Sequence, residues 1–356
     1  MSKPKKYWTN EKIKKIGAQF NILFSVRSTG KSYATKVEVI KTFLEKGQKF
    51  VYLRRWRKDC TATNAMQYFY DIPIKILTDG QYETIYAYAG GFYLANYGED
   101  GKVKKGPHIG WYMYLEGYEH YKSMTYPDAY NIIFEEFISN EGYMRNETGL
   151  LMNIVSTVLR DNDGVVWLIA NTITRVCPYV QDWKLKPFQK MKEGEIYTVT
   201  YKRKGIDNED IETKIAVELC ENPGTNSKMF IGLAGRNITE NTWEVVERPH
   251  FPEDGNFTKV YDVTIKDMGF QFCMSVYVDE STGGMFLYVT PSEKHKTLRT
   301  ISKQFSVDPL TTNRFSDTIK IEQNMRSLLN LGKICYSDNT TATDFENIVK
   351  NWEGSL

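Results

Sequence analysis

The chain has 356 residues, of which 41% are hydrophobic, 14% aromatic and 25% charged, with a formal net charge of only +2. That composition excludes a disordered or low-complexity chain, and its length favours two domains over one. No apolar run approaches the 18–20 or so residues of a membrane span, and the basic N-terminus MSKPKKYWTNEK lacks the apolar segment of a signal peptide. A cytosolic protein with no membrane partner is expected.

The charge is unevenly spread. Residues 1–60 carry sixteen Lys or Arg against four Asp or Glu, which fits either contact with a polyanion or a solvated basic face. Five widely spaced cysteines and four scattered histidines form no CxxC, HExxH or HxH pattern. Reduced thiols are expected, with no disulfide frame and no built-in transition-metal site.

In chain order, the first half alternates strand and helix. The run FNILF over 20–24 is a buried strand, and helical spacing predicts a helix from Lys31 to about Lys46 with Gly47 as its stop. KFVYL over 49–53 is the second strand, and the Tyr- and Gly-rich stretches 82–98 and 110–116 read as inserted hairpins. NIIF over 131–134 and VVWLIA over 165–170 are continuous apolar runs, with a helix between them that carries Leu150, Leu151, Ile154, Val155, Val158 and Leu159 on one side. This alternation predicts a mainly parallel α/β sheet. From Tyr197 to about Asn241 the chain is polar and lacks a long periodic element, so a linker is expected there. Three strands (258–265, 270–278 and 285–290) and two helices (316–331 and 343–352) then predict a compact α+β domain, with DESTGG as the turn of a hairpin. The expected division is therefore 1–197, a linker at 198–241, and 242–356.

The strongest chemical signal is Ser25-Val26-Arg27-Ser28-Thr29-Gly30-Lys31-Ser32, which follows a strand and opens a helix. It matches the phosphate-binding (Walker A) loop GxxxxGK[ST] apart from Ser25 at the first glycine. Gly30 lets backbone amides close on phosphate oxygens at a helix N-terminus. Lys31 is expected on the β- and γ-phosphates of ATP, and the Ser32 hydroxyl on Mg2+. A second signal, NIIF followed by Glu135 and Glu136, has the form of a Walker B strand. There Glu135 organises the metal and Glu136 polarises the attacking water. An acid pair of this kind marks the P-loop ATPases that include ring motors, the ASCE class.

Four further positions have two readings each. Asn171, at the end of VVWLIA, is a γ-phosphate sensor or a strand-end cap. Arg160 is a trans-acting arginine finger or a cation at a helix C-terminus. Arg54, with Arg55, Arg57 and Lys58, couples the nucleotide to a neighbour or to DNA, or forms a solvated charge run. Lys102, Lys104 and Lys105 track a phosphate backbone or solubilise a turn.

These residues resemble those of a known family, the genome-packaging ATPases of small tailed bacteriophages with protein-primed linear DNA. The likeness rests on the phosphate loop followed by SYATKV, on FVYLRRWRKD, IIFEEF, STVLRDND and LIANTITRVCPY, and more loosely on FQFCMSVYVD and GGMFLYV. The resemblance implies a homomeric ring, likewise a pentamer, that acts transiently on the procapsid in the host cytoplasm. Its implied partners are double-stranded DNA, a portal (connector) and a structural packaging RNA. It carries Lys31 and Ser32 over as the nucleotide pair, Glu136 as the catalytic glutamate, Arg160 as the arginine supplied in trans, Lys122 as a second interface cation and Arg54 as an arginine that couples subunits. Glu135 stands where the family has an aspartate. The C-terminal region is implied to be an RNase H-like nuclease fold that has lost its active site. The alternatives to this reading are a terminase-like enzyme with a working nuclease domain, and a P-loop phosphotransferase unrelated to DNA.

Overall fold

The computed structural model describes residues 7–139, 141–160, 162–172, 174–205, 207–222, 245–292, 299–303, 306–350 and 352. They fall into two compact units. The first comprises Met1–Ile138, Met144–Thr172 and Lys186–Thr242, and the second Ser139–Tyr143, Ile173–Leu185 and Trp243–Leu356.

The first unit is built on one sheet. Its strands are β1 (Phe20–Ser25), β2 (Lys49–Arg54), β3 (Thr84–Tyr88), β4 (Gly91–Tyr97), β5 (Val103–Tyr114), β6 (Ala129–Glu135), β7 (Val165–Asn171), β8 (Ile196–Lys204) and β9 (Asp210–Leu219), in the order β3-β4-β5-β2-β6-β7-β1-β9-β8. The six inner strands from β5 to β9 run parallel to one another. Antiparallel hairpins extend both edges. Every residue of β1 is buried, as the unbroken apolar run requires for a strand covered on both faces. The helices of this unit are α1 (Glu11–Lys14), α2 (Lys31–Lys46), α3 (Ala62–Gln67), α4 (Ile74–Leu77), α5 (Tyr118–Tyr121) and α6 (Glu147–Leu159). Helix α2 stops at Gly47, which takes φ 69° and donates its N–H to the Phe43 carbonyl at 2.8 Å.

The expected boundary at residue 197 moves in two ways. First, much of the supposed linker is sheet. Ile196–Lys204 and Asp210–Leu219 form a hairpin whose inner strand lies parallel on β1, with Ile215, Ala216 and Val217 buried there. The polar sequence misleads because β8 is a solvated edge strand, and two of its lysines pair across the hairpin, Lys202 with Glu212 at 2.6 Å and Lys204 with Asp210 at 2.9 Å. The remainder of the expected linker, residues 223–241, lies outside the described residues. Second, two short segments inside the first half cluster with the C-terminal residues. Arg175 pairs with Asp344, and the Asn347 amide donates to Thr174 Oγ1 at 2.8 Å.

The second unit holds the order β14-β13-β10-β11-β12-β15. Strands β10 (Phe257–Asp267), β11 (Phe270–Asp279) and β12 (Met285–Pro291) are antiparallel, while β13 (Thr300–Ile301), β14 (Thr311–Thr312) and β15 (Ile334–Tyr336) add in parallel. Its helices are α7 (Pro178–Asp182), α8 (Lys320–Asn330) and α9 (Asn339–Lys350). The two long ones are each displaced by a few residues from the expected spans, for reasons of capping. Ser316 makes a hydroxyl turn that accepts the N–H of Thr318 and Ile319 at 3.2 and 3.1 Å, so helix begins only after it. Asp338 accepts the Thr341 N–H at 2.8 Å and starts the last helix earlier than its apolar residues suggest.

Among the described residues, no helix is long and apolar enough to cross a membrane, and no group of three or more His, Cys, Asp or Glu could hold a metal ion. Cys60 is half-buried and the other four cysteines are buried, all of them free thiols.

The pairing of β5 with β2 sets Gly110 opposite Phe50, so tightly that an added Cβ would lie 2.2 Å from the Phe50 carbonyl oxygen. Backbone cannot yield as a side-chain tip does. Gly110→Ala is therefore expected to cost about 1–3 kcal/mol of stability, read as a lower thermal midpoint. A variant that melts like the parent would show that this register is wrong.

Candidate nucleotide site

Four parallel strands, β2, β6, β7 and β1, end at the same edge of the sheet, the edge where ligands collect in α/β folds. From β1 the chain turns through Val26–Gly30 into α2. Ser25 closes the strand in register with Asn171 and is fully buried. Its hydroxyl lies 2.9 Å from that of Thr29, bracing the two ends of the loop. The positive φ values fall on Ser28 (63°) and Gly30 (97°), not on Ser25. Serine is accommodated at the first motif position because that residue is still strand and needs none of glycine's freedom. At Gly30 the freedom is used: a Cβ there would meet Tyr7 Cβ at 3.2 Å.

Lys31 is buried, and its ammonium donates to Val26 O at 3.1 Å and to Asn171 Oδ1 at 2.9 Å. Burial pulls its pKa down to about 8, although Cys220 and Glu135 act in the opposite sense. It is a cation short of negative partners, held inside a loop of backbone amides. A cavity of about 930 Å3 opens over this loop, with Tyr7, Arg27, Lys31, Ser32, Lys41 and Asp71 among its walls. Both the volume and the chemistry suit a nucleoside polyphosphate.

The two glutamates differ. Glu135, the last residue of β6, is buried. Burial opposes its charge, but Lys36 (Nζ to Oε2, 3.8 Å), a hydrogen bond from the Ser32 hydroxyl, another from the Tyr52 hydroxyl, and Arg54 outweigh that penalty and hold its pKa below the usual carboxylate range. Glu135 is therefore an ionised acceptor in contact with Ser32, the hard oxygen pair that magnesium takes alongside phosphate oxygens. Glu136 is turned outward with φ 60°, and its N–H donates to Ile169 O at 2.7 Å. Its carboxylate meets Arg54 Nη2 at 2.5 Å, and the Arg54 guanidinium lies 5.2 Å from the Tyr68 ring centroid.

The structure thus brings together Ser25 to Ser32, Asn171, Glu135, Glu136 and Arg54. It does not bring Arg160 or Lys122 to the same edge. Arg160 caps the far end of α6 ahead of β7, whose seven residues span about 20 Å, beyond the reach of one side chain. Its guanidinium donates to Met124 O at 3.0 Å, and Lys122 lies two residues away, paired with Glu119 at 2.7 Å. Both are exposed on the amino-terminal side of the sheet. Lys102, Lys104 and Lys105 sit on the β4–β5 hairpin, where Lys102 pairs with Asp100 at 3.2 Å and Lys105 lies 4.3 Å from the Tyr88 ring centroid.

Sequence reasoning gave no role to Lys36, Tyr52, Glu147 or Trp8. Lys36 is one helical turn beyond Ser32, a spacing that could have linked it to the same carboxylate. Trp8 closes the site from the N-terminal side, its N–H on Thr29 O at 3.0 Å and its indole on Glu218 at 2.7 Å. No local pattern marks a contact across 210 residues.

Comparison with known proteins agrees with this geometry. The model of the Podovirus DNA encapsidation protein (Gp16) family matches residues 1–351. The DNA packaging protein of Bacillus phage phi29 is 29% identical over 185 residues, 51% of this chain and 51% of that protein. The corresponding protein of Bacillus phage B103 is 32% identical over 171 residues, 47% of this chain and 48% of that one. The match thus spans about half the length of these curated relatives. A chain from the bacteriophage Phi-29 viral genome packaging motor assembly shares the fold, with a TM-score of 0.54 at 21% identity over 97% of this chain and 99% of that chain. The chain belongs to the Podovirus DNA encapsidation protein (Gp16) family.

Proposed function

We propose that this protein is an ATP-hydrolysing subunit of a DNA-packaging motor. The observation that carries the reading is the meeting of the phosphate loop and the acid pair through Ser32 and Glu135. In this reading Lys31 and the amides of residues 26–32 hold the phosphates, Ser32 and Glu135 would hold Mg2+, and Asn171 senses the γ-phosphate. Bound magnesium supplies neutralisation of charge on the β- and γ-phosphates. Glu136 orients a water for in-line attack on the γ-phosphorus. The bond to the bridging oxygen breaks, and ADP and phosphate are released.

Before that step Glu136 must exchange its pairing with Arg54 for the water. Nucleotide-dependent change at Arg54 is thus a natural route for coupling to a neighbour. Arg160 belongs to another subunit's site in this account. It is exposed and about a strand's length from its own phosphate loop. A finger supplied in trans requires a neighbouring copy of the chain, and family membership makes a homomeric ring, a pentamer with Lys122 at its interface, the expected assembly. DNA, a portal and a packaging RNA are the partners proposed on the same ground, with Lys102, Lys104 and Lys105 as candidate DNA contacts and the procapsid in the host cytoplasm as the place of action.

For the second unit, an RNase H-like fold without nuclease activity is proposed. The order β12-β11-β10-β13-β14, three antiparallel strands followed by two parallel ones, supports the fold. Two acids of this unit, Asp262 and Asp279, are already engaged, the first by Lys259 at 2.8 Å and the second by the Ser281 and Thr282 hydroxyls at 2.6 and 2.8 Å, which speaks against a metal-dependent nuclease.

Lys31→Ala is expected to abolish ATP turnover, whereas Glu136→Gln should keep nucleotide binding and lose turnover by 100-fold or more. Steady-state hydrolysis with and without double-stranded DNA, alongside nucleotide titration, reads both. Near-parental turnover in Lys31→Ala would remove the site assignment. Arg160→Ala is expected to poison mixed rings, so that activity falls faster than the fraction of variant added. A loss in simple proportion to that fraction would exclude a trans role.

A further inference from the structure

Arg54 is the last residue of β2 and Arg55 follows it, and the two side chains take different partners. Arg54 takes the carboxylate of Glu136, and Arg55 takes its backbone. Arg55 Nη1 donates to the Glu136 carbonyl at 2.9 Å and Nη2 to the Phe137 carbonyl at 2.7 Å. The same guanidinium makes a two-pronged pair with Glu147, Nε to Oε2 and Nη2 to Oε1, both at 2.9 Å. Arg55 is 5% exposed and Glu147 2%. Glu147 is the first residue of α6 and also accepts the Met144 N–H at 3.0 Å. One buried guanidinium thus ties the end of β2, two successive carbonyls just beyond β6, and the start of α6.

We infer that Arg55, anchored by Glu147, is a positioning residue that fixes the backbone at Glu136 so that its carboxylate can turn from Arg54 to the nucleotide. Glu136 is a non-glycine residue in the left-handed region, a conformation that persists only where the surroundings impose it. The surroundings here are the N–H bond to Ile169 on one side and the two carbonyls captured by Arg55 on the other. Rotation of the released peptide would swing the carboxylate, whereas the phosphate loop has its own braces, Ser25 on Thr29 and Lys31 on the Val26 carbonyl and Asn171. The effect therefore falls on the chemical step and spares binding. Lysine cannot replace the group: a point charge on a flexible stem cannot serve a carboxylate and two carbonyls together.

The inference rests on the proposed ATPase reading, and its test separates the two. ATP turnover is measured against ATP concentration for the full-length parent, Lys31→Ala, Arg55→Lys and Glu147→Gln, with thermal melting of each. The expected result is a kcat reduced at least tenfold in Arg55→Lys and in Glu147→Gln with KM within threefold of the parent, and a double variant no worse than the worse single one, since both break one unit. Should Arg55→Lys fail to fold, the kcat–KM split in Glu147→Gln decides alone, because that change keeps the shape and the carbonyl contacts while removing the charge. Parental kcat in the folded variants, or a kcat and KM that worsen together in step with melting, overturns the positioning role. If Lys31→Ala also turns over normally, it is the ATPase reading that has failed.

Discussion

The site depends on keeping one carboxylate charged inside the protein. An ionised side chain buried without partners costs several kcal/mol, and Glu135 is buried. What keeps it ionised is a set of groups from two elements: Ser32 and Lys36 from α2, and Tyr52 and Arg54 from β2. That set holds the phosphate loop against the acid strand, although β7 lies between β1 and β6 in the sheet. Because all these strands are parallel, the loop, the acid pair, Asn171 and the two arginines arrive at one edge without any long excursion of the chain.

The second glutamate shows a different solution. Glu136 has an exposed carboxylate held, among the described residues, only by its pair with Arg54, while its backbone is held on both sides. A group that must orient a water needs a base held firmly in place. The adjacent arginines divide these tasks, Arg54 on the carboxylate and Arg55 on the peptide. Helix α6 carries this arrangement across the sheet, since it begins at Glu147 in the clamp and ends at Arg160 on the opposite side. One helix of 13 residues, about 20 Å long, thus joins a residue pair at one site to the cation proposed for the next.

Much of this was legible in the sequence because strands buried on both faces announce themselves as unbroken apolar runs. FNILF, KFVYL, NIIF and VVWLIA all prove to be inner strands. The phosphate loop was equally plain, and the serine in place of glycine is explained by a strand conformation that sequence does not display. Three things stayed hidden. The β8–β9 hairpin carries its charges as cross-strand pairs, so it reads as a polar linker. Segments 139–143 and 173–185 cluster with residues that resume only at Trp243, far along the chain from either segment. Arg55 looked like one charge in a basic run, and only its partners, Glu147 and two carbonyls, distinguish it from Arg57 and Lys58.

The most direct test is a structure of the chain with magnesium and a non-hydrolysable ATP analogue. The account requires the triphosphate wrapped by residues 26–32, the metal about 2.1 Å from the Ser32 hydroxyl with Glu135 in its ligand or water shell, and the Glu136 carboxylate turned from Arg54 toward the γ-phosphate. A nucleotide bound elsewhere, or a metal remote from Ser32 and Glu135, would contradict it.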